Sequence, residues 1–467
     1  MPVRPILASV VLALFAASVS QSIVAPAVPR IVDELGGMAH YSWIATSTLL
    51  ASAVCIPLAG KLADVYGPRP VYAGGMAVFA AGSCLAGLAP SFWALVAARG
   101  LQGAGVGGTL ALSQVVVGEI LSPRERGRYQ GYLGSAFGSA AVVGPLAGGW
   151  LTDHVSWRGC FLVTVPVVLA ALAVAVRFLR LPAPERRPPL DVRGIGTLAG
   201  ALTALLLAVS LVGAPEPFGW PVLAGLVVLA GGLLAVFADD QRRAADPVLP
   251  GRLLRDAVFR SAAGAGLLVS VTLFGATFFI PLFAQGVLGA DATRSGVLLL
   301  PLAIGLVAAS TVVGRLITRT GSYKWFMLAG GVVTVVGWAQ LARLDAGSST
   351  TDIAVALSFV GAGLGATSQN FILVVQNSAP RDELGIATAS AQLFRSLGAT
   401  LGVAGLGSVF AARVGSEPHD AAGVAAALHP LFLVGLGVAV AAAGAIALIP
   451  RIPLRETPGA VAAPHMN

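Results

Sequence analysis

The fold class predicted for this sequence is an all-α protein that crosses a membrane many times, and three observations predict it. Only 11% of the 467 residues are charged and 56% are hydrophobic, whereas a soluble domain carries roughly 25% charged residues. Long stretches without any charge, such as the one between Arg69 and Arg99, hold the ~20 residues that a helix needs to cross ~30 Å of hydrocarbon. The mean hydropathy of +0.85 agrees. A soluble body of this size is therefore excluded.

Apolar runs separated by helix breakers predict fourteen spans. They lie near 6–28, 42–60, 71–90, 92–118, 129–152, 159–178, 194–213, 219–238, 260–284, 294–315, 325–343, 353–376, 384–411 and 428–449. The first run follows Arg4 and has features of a secretory signal. Its length and the many later spans favour a first membrane helix instead.

The positions of the 29 Lys and Arg residues predict the orientation. With the N-terminus in the cytoplasm, two of them (Arg99 and Arg395) lie within spans. Five are external and the remaining 22 are cytoplasmic, the external ones being Arg30, Arg158, Arg294, Arg343 and Arg413. Cytoplasmic loops of membrane proteins are enriched in Lys and Arg. We therefore expect both termini in the cytoplasm and a lipid bilayer as partner, and the net charge of +8 then needs no nucleic acid.

A short internal repeat predicts how the spans are grouped. Gly60-Lys61-Leu62 with Gly67 matches Gly314-Arg315-Leu316 with Gly321, each at the end of a predicted helix. Duplication of this kind is typical of transporters built from two related bundles around a central site. We predict an N-terminal six-helix bundle (1–178), a linker with two inserted helices (179–259), a C-terminal six-helix bundle (260–450) and a cytoplasmic tail (451–467).

Polar side chains inside apolar spans are the candidate functional residues. Arg99 lies about two turns into the fourth span, with Gln102 on the same face, and a buried arginine costs at least ~2.5–3.5 kcal/mol on insertion scales. An arginine there is a functional candidate by default. The candidates for a substrate path are Ser20, Gln21, Gln114, Phe274, Phe278, Gln369, Asn370 and Arg395. For each of them, helix–helix hydrogen bonding or lipid contact is the open alternative.

Eight segments together resemble the major facilitator superfamily, and more narrowly its fourteen-span drug–proton antiporter branch. They are QSIVAPAVP (21–29), GKLADVYGPR (60–69), RGLQGAGVGG (99–108), PRERGRYQG (123–131), GSAFGSAAVVGPLAGG (134–149), TDHVSWRGCF (152–161), GRLITRTGSYK (314–324) and LFRSLGATLGVA (393–404). The resemblance implies the major facilitator fold. It also implies a secondary active exporter of small, largely apolar molecules (drug or antibiotic efflux) in the cell membrane, working by proton antiport with alternating access and without a cofactor.

The resemblance also implies roles for individual residues. Gly60, Asp64, Gly67 and Arg69 would form a cytoplasmic latch between the bundles, for which a plain topogenic loop is the alternative. Arg99 and Gln102 would take part in proton coupling, or else anchor the first helix by hydrogen bonds. The antiporter signature would be a contact between bundles, or ordinary glycine-mediated packing; its residues are Gly134, Gly138, Gly144, Pro145 and Gly148.

One departure from the family pattern bears on the substrate. The family usually carries an aspartate in the first helix, where this chain has Ser20, and no Asp or Glu occupies the middle of a predicted span. A buried cation needs a paired charge, so we expect a neutral, zwitterionic or anionic substrate rather than a permanent cation. The proton site would then involve Asp33 and Glu34 at the outer mouth, Asp64 and Glu119 at the inner mouth, or the substrate itself.

Other function classes find less support. The five histidines and three cysteines form no catalytic or metal-binding pattern, and no nucleotide-binding loop is present. We therefore expect neither an enzyme nor a metal site, and we expect a monomer. Uptake, or lipid or metabolite transport, on the same scaffold stays open, as does a non-transporting membrane sensor.

Overall fold

The computed structural model describes residues 3–120, 123–179, 192–211, 220–243, 251–368, 370–379, 384–414 and 420–452. The described part is built from α-helices joined by short turns. They are α1 (Val3–Ser22), α2 (Val28–Leu35), α3 (Trp43–Tyr66), α4 (Pro68–Gly87), α5 (Phe92–Ile120), α6 (Pro123–His154), α7 (Gly159–Leu162), α8 (Thr164–Phe178), α9 (Val192–Leu211), α10 (Trp220–Arg243), α11 (Gly251–Arg255), α12 (Ala257–Gly286), α13 (Ala292–Leu298), α14 (Leu300–Thr320), α15 (Lys324–Leu341), α16 (Thr350–Thr367), α17 (Asn370–Ser378), α18 (Leu384–Val414) and α19 (Ala421–Ala447).

Within these residues, eleven helical segments are long and apolar enough to cross a membrane. The other three predicted spans coincide with α5, α6 and α9, which are 29, 32 and 20 residues long. At 1.5 Å per residue, each of these is at least as long as the hydrocarbon layer of ~30 Å is thick. The chain is therefore an all-α, multi-pass membrane protein.

Proline positions explain where the helices depart from the predicted spans. Pro26 lies in a 3₁₀ turn and Pro29 near the start of α2, so the first span continues past residue 28 as a second short helix that carries Asp33 and Glu34. Pro301 follows the end of α13, and the span predicted at 294–315 consists of α13 and α14. Proline fits the first turn of a helix and interrupts a continuous one, because it lacks an N–H.

The helices form two groups, each with contacts among its own members, and one hydrophobic cluster runs through both. In the first half, α1, α3, α4, α5, α6 and α8 contact one another; in the second half, α12, α14, α15, α16, α18 and α19 do so. The pair α9 and α10 pack against each other, and α9 also contacts α3 and α18. The outer face of α10 is exposed, with Trp220 and Val228 at 83% and 74% exposure, which suits a lipid-facing helix. The domain boundaries themselves stay predictions.

Each half contains a basic side chain that binds backbone carbonyls at the end of its last helix. We call this contact a clasp; the sequence repeat did not reveal it. At the start of α4, Arg69 Nη2 donates to the Val176 carbonyl near the end of α8, at 2.9 Å. At the start of α15, Lys324 Nζ donates to the Ala447 and Ile449 carbonyls at the end of α19, at 2.9 and 2.8 Å. Cations are favourable at helix C-termini because they meet unpaired carbonyls and the negative end of the helix dipole. Each half thus fastens its last helix in the same way.

Candidate transport site

Arg99 is the centre of a buried polar network in the first half. Its side chain is 1% exposed. Nε donates to the Ile44 carbonyl of α3 at 3.0 Å, and Nη1 donates to the Ser20 carbonyl of α1 at 3.5 Å and to Gln102 Oε1. The guanidinium also lies 5.6 Å from the centre of the Phe161 ring. Neutral acceptors from three helices therefore hold this cation.

Gln102 extends the network to α4 and α8. Its Nε2 donates to Ser83 Oγ at 2.7 Å, and Thr164 Oγ1 donates to the same oxygen at 3.5 Å. Close helix approach makes this possible: a Cβ added at Gly103 would collide with the Thr48 carbonyl, and one added at Gly82 with the Gln102 backbone nitrogen. The geometry places Arg99 and Gln102 together, as the sequence predicted, and Arg99 is joined to the first helix. Their part in proton coupling stays a prediction.

Asp153, at the end of α6, joins the two halves. Its Oδ1 accepts from the Ala292 backbone nitrogen at 3.2 Å, and its Oδ2 accepts from the Thr293 nitrogen at 2.7 Å and from Thr293 Oγ1. The carboxylate thus caps the first turn of α13, where backbone N–H groups have no helical partner. Nearby, Gln285 Nε2 donates to the Pro26 carbonyl at 2.9 Å and to Ser295 Oγ at 2.8 Å.

The glycine-rich segment of α6 faces both halves at once. Added Cβ atoms at Gly144 and Gly148 would collide with Ser22 and Ile23, at the end of the first span. On the other side, a Cβ at Gly149 would lie 2.5 Å from the Ala292 carbonyl, and one at Gly138 3.1 Å from Val307. Pro145 presents its carbonyl to Gly296 of α13. Gly134 also lies on α6.

The halves meet through Asp153, Gln285 and α6 at one end of the molecule, which we call the closed side, and this side carries further polar and aromatic contacts. Tyr41 donates to the Phe278 carbonyl of the other half at 3.1 Å. Glu34 accepts from Trp157 Nε1 at 2.8 Å and from Arg158 Nη1 at 2.7 Å, which fixes α2 to the α6–α7 turn, and Asp33 is exposed beside it. The His40 ring lies 5.2 Å from Trp93, and burial lowers the pKa of this imidazole. All these contacts lie at the end of the molecule where the first span finishes.

The substrate-path candidates occupy different environments. Ser20 is buried and its hydroxyl donates to Ala17 of its own helix, while Gln21 beside it is half-buried. Phe274 is half-buried, but Phe278 is 3% exposed and packs in the core. Asn370 is buried and its Nδ2 donates to the Ala366 carbonyl at 2.7 Å. Gln369 lies outside the described residues, as do the side chains of Gln114 and Glu119 on α5 and of Asp64 on α3.

Arg395 contrasts with Arg99. It is half-buried on α18, and among the described residues its guanidinium meets one acceptor, Gln392 Oε1, at 3.5 Å. The cytoplasmic latch predicted around Asp64 is described in part: Gly67 ends α3 with a φ of 90°, a conformation that favours glycine. A Cβ added at Gly60 would meet nothing within 4 Å.

Sequence reasoning missed Asp153, Tyr41 and Gln285. Their partners are 139 to 259 residues away along the chain, and no local pattern marks such pairs. The TDHVSWRG segment was singled out, but only as part of the resemblance. The acidic residue at the end of an apolar span, followed by Trp157 and Arg158, was the available signal.

The helices and this polar interior define an all-α, multi-pass membrane protein made of two packed halves. Residues 10–403 match the family model described as Major Facilitator Superfamily. The chain belongs to this superfamily, whose members are transporters and not enzymes.

Two relatives and one solved structure show which proteins this chain is similar to. The chain is 39% identical over 411 residues to an MFS-type transporter of Mycobacterium tuberculosis that carries the name "Uncharacterized", covering 88% of this chain and 60% of the relative. It therefore spans less than two thirds of that protein. It is 34% identical to the multidrug transporter protein MdtP of Bacillus subtilis, covering 89% of this chain and 76% of that protein. A bacterial homologue of the human lysosomal transporter Spinster has the same fold, with a TM-score of 0.66, 14% identity and coverage of 95% and 96%.

Proposed function

We propose that this protein is a secondary active exporter of small, largely apolar molecules, a drug or antibiotic efflux pump that works by proton antiport with alternating access. The observation that carries the proposal is the closure between the halves through Asp153. Three hydrogen bonds to Asp153, together with those that Tyr41 and Gln285 donate across the halves, have to break for that side to open, and a reversible contact is what alternating access needs. The identity to a multidrug transporter over most of this chain favours efflux.

We also propose the fourteen-span antiporter branch, the cell membrane and two cytoplasmic termini. Helices α5, α6 and α9, added to the eleven apolar segments, support the count, and the distribution of Lys and Arg supports the orientation. In that orientation the closed side is external. The protein would act as a monomer.

The substrate in this proposal is neutral or anionic rather than a permanent cation. Among the described residues, the acidic side chains lie at helix ends or in turns, while Arg99 and Arg395 lie within spans. The proton site would lie at Asp33 and Glu34 outside, at Asp64 and Glu119 inside, or on the substrate itself.

The test is transport by the purified chain in proteoliposomes with an imposed pH gradient. We expect an uncharged antibiotic to move against its gradient when protons flow the other way, and to stop when a protonophore is added. A pump-deficient host expressing the chain should be protected against uncharged antibiotics more than against quaternary ammonium dyes. Transport that ignores the pH gradient would refute the antiport, and strong dye efflux would refute the proposed substrate class.

A further inference from the structure

Arg395 is a charged residue within a span that has few hydrogen-bond partners in the described part of the chain. A guanidinium carries five N–H donors in a planar fork. In the described part of the chain one acceptor faces it, the Gln392 side chain at 3.5 Å, at the outer limit of a hydrogen bond. The described ion pairs join other residues: Glu34 to Arg158, Arg193 to Asp240, and Asp291 to Arg294.

The position of Arg395 on α18 places it well inside the helix layer. It comes eleven residues after Leu384, the first residue of this helix, which at 1.5 Å per residue is about 17 Å along the axis. An intramembrane arginine faces the protein interior or a water-filled cavity in nearly all cases. The half-buried side chain of Arg395 is accessible enough to meet a ligand there.

The other faces of α18 are taken by neighbouring helices. Leu393 and Leu397 pack with Leu198 and Leu202 of α9. A Cβ added at Gly398 would collide with the Leu267 carbonyl of α12. These packed positions cannot admit a ligand without moving helices apart.

A polar face remains, formed by Thr388, Gln392 and Arg395 at helical spacing. Thr388 Oγ1 accepts from Gln376 Nε2 of α17 at 3.1 Å, so this face lies beside α17. The first residue of α17, Asn370, comes six residues before Gln376. Arg395 comes seven residues after Thr388. Since the two helices run in opposite directions, Arg395 and the start of α17 lie at about the same depth.

We propose that Arg395, oriented by Gln392, is the anion-binding residue of the substrate path, and that the substrates recognised there are apolar molecules with an ionised carboxylate. The planar fork fits the two oxygens of a carboxylate, and the faces of α18 on either side pack apolar residues against α9 and α12. This inference rests on the proposed function, because it assigns the charge of the molecules that the exporter carries.

Binding to the whole chain in lipid nanodiscs, without any gradient, tests the assignment. The probes are three carboxylates of increasing size (benzoate, naphthoate and anthracenecarboxylate), each paired with its neutral amide. For at least one pair, we expect the wild-type chain to bind the carboxylate at least about tenfold more tightly than the amide. Arg395→Gln should lose this preference and keep its affinity for the amide, whereas Arg343→Gln, which removes an exposed arginine, should behave as the wild type.

Two results would overturn the assignment: no carboxylate preference in the wild-type chain, or a preference that survives in R395Q. If R395Q does not purify as a monodisperse protein, the binding preference of R395K is measured instead. It keeps the charge but loses the planar fork, so we expect a drop of at least about threefold in the preference, and an unchanged preference overturns the assignment. Selective binding without proton-driven export would refute the proposed function alone, and export without carboxylate preference would refute this inference alone.

Discussion

Arg99 in the first half and Arg395 in the second half both lie within long apolar helices, but their surroundings differ. Arg99 is fully buried and bonded to a side chain and to carbonyls from two other helices. Arg395 is half-buried and, in the described part of the chain, its guanidinium has one long contact, with Gln392 on its own helix. A buried charge is tolerable only when hydrogen bonds replace its water. Acceptors on three helices do this for Arg99, whereas among the described residues Arg395 has a single acceptor for its five N–H donors.

The largest expected effect is that of Arg99→Met. This change removes the shared donor from the Ile44 and Ser20 carbonyls and from Gln102, and leaving such buried acceptors unsatisfied costs about 1–3 kcal/mol. We expect a loss of that size in the free energy of unfolding, measured by steric trapping in bicelles. Arg343→Met, at an exposed position, is the matched control. A loss below about 1 kcal/mol for R99M would mean that the hydrogen bonds of Arg99 stabilise the protein no more than the single contact of Arg395 does.

Asp153→Asn tests the contact of α6 with α13, which joins the two halves and has to break when the closed side opens. The hydrogen bonds of Arg99, by contrast, lie within the first half. The amide keeps one acceptor but loses the charge, and hydrogen bonds to charged groups contribute about 1.5–3 kcal/mol. We expect the closed side to open about tenfold more often. Spin labels at V155C and R294C, in a chain with Cys55, Cys84 and Cys160 replaced, would report the distance between the halves.

Asp345→Asn, in an exposed turn, is the control for the loss of a carboxylate. An unchanged distance distribution in D153N would show that Asp153 does not hold the closed state.

Gly103→Ala probes the close packing that surrounds Arg99. The new Cβ would collide with the Thr48 backbone carbonyl, and overpacking of this kind costs about 1–3 kcal/mol. On the same helix, Gly100→Ala meets nothing within 4 Å and is the matched control. We expect thermal unfolding in detergent at a lower temperature for G103A only, and equal melting of the two variants would contradict the packing argument.

The smallest expected effect is that of Arg395→Met on stability. One hydrogen bond of 3.5 Å is lost, while an uncompensated cation is removed, so we expect the free energy of unfolding to change by less than about 1 kcal/mol. The same unfolding assay as for R99M gives the comparison directly. A loss as large as that of R99M would show that both arginines serve the scaffold.

Much of the fold could be predicted from the sequence, because the length of each apolar run shows that it can cross the membrane. The prolines, glycines and charges between the runs show where the helices end. The prediction of one continuous first span was incomplete, since Pro26 and Pro29 divide it and α2 prolongs it to Leu35. The pairing of Arg99 with Gln102 followed from helical spacing. Asp153 and its partners could not be found in this way, because contacts between residues about 140 positions apart depend on how the two halves dock.

The clasps at Arg69 and Lys324 bear on how the chain is made. Each joins the third long helix of a half to the end of its last helix, so every bond of the first clasp is available before the ribosome has begun the second half. The first half can then be completed as a unit while synthesis continues. Genes that encode the two halves separately, divided in the linker after residue 179, should therefore yield polypeptides that assemble in the cell.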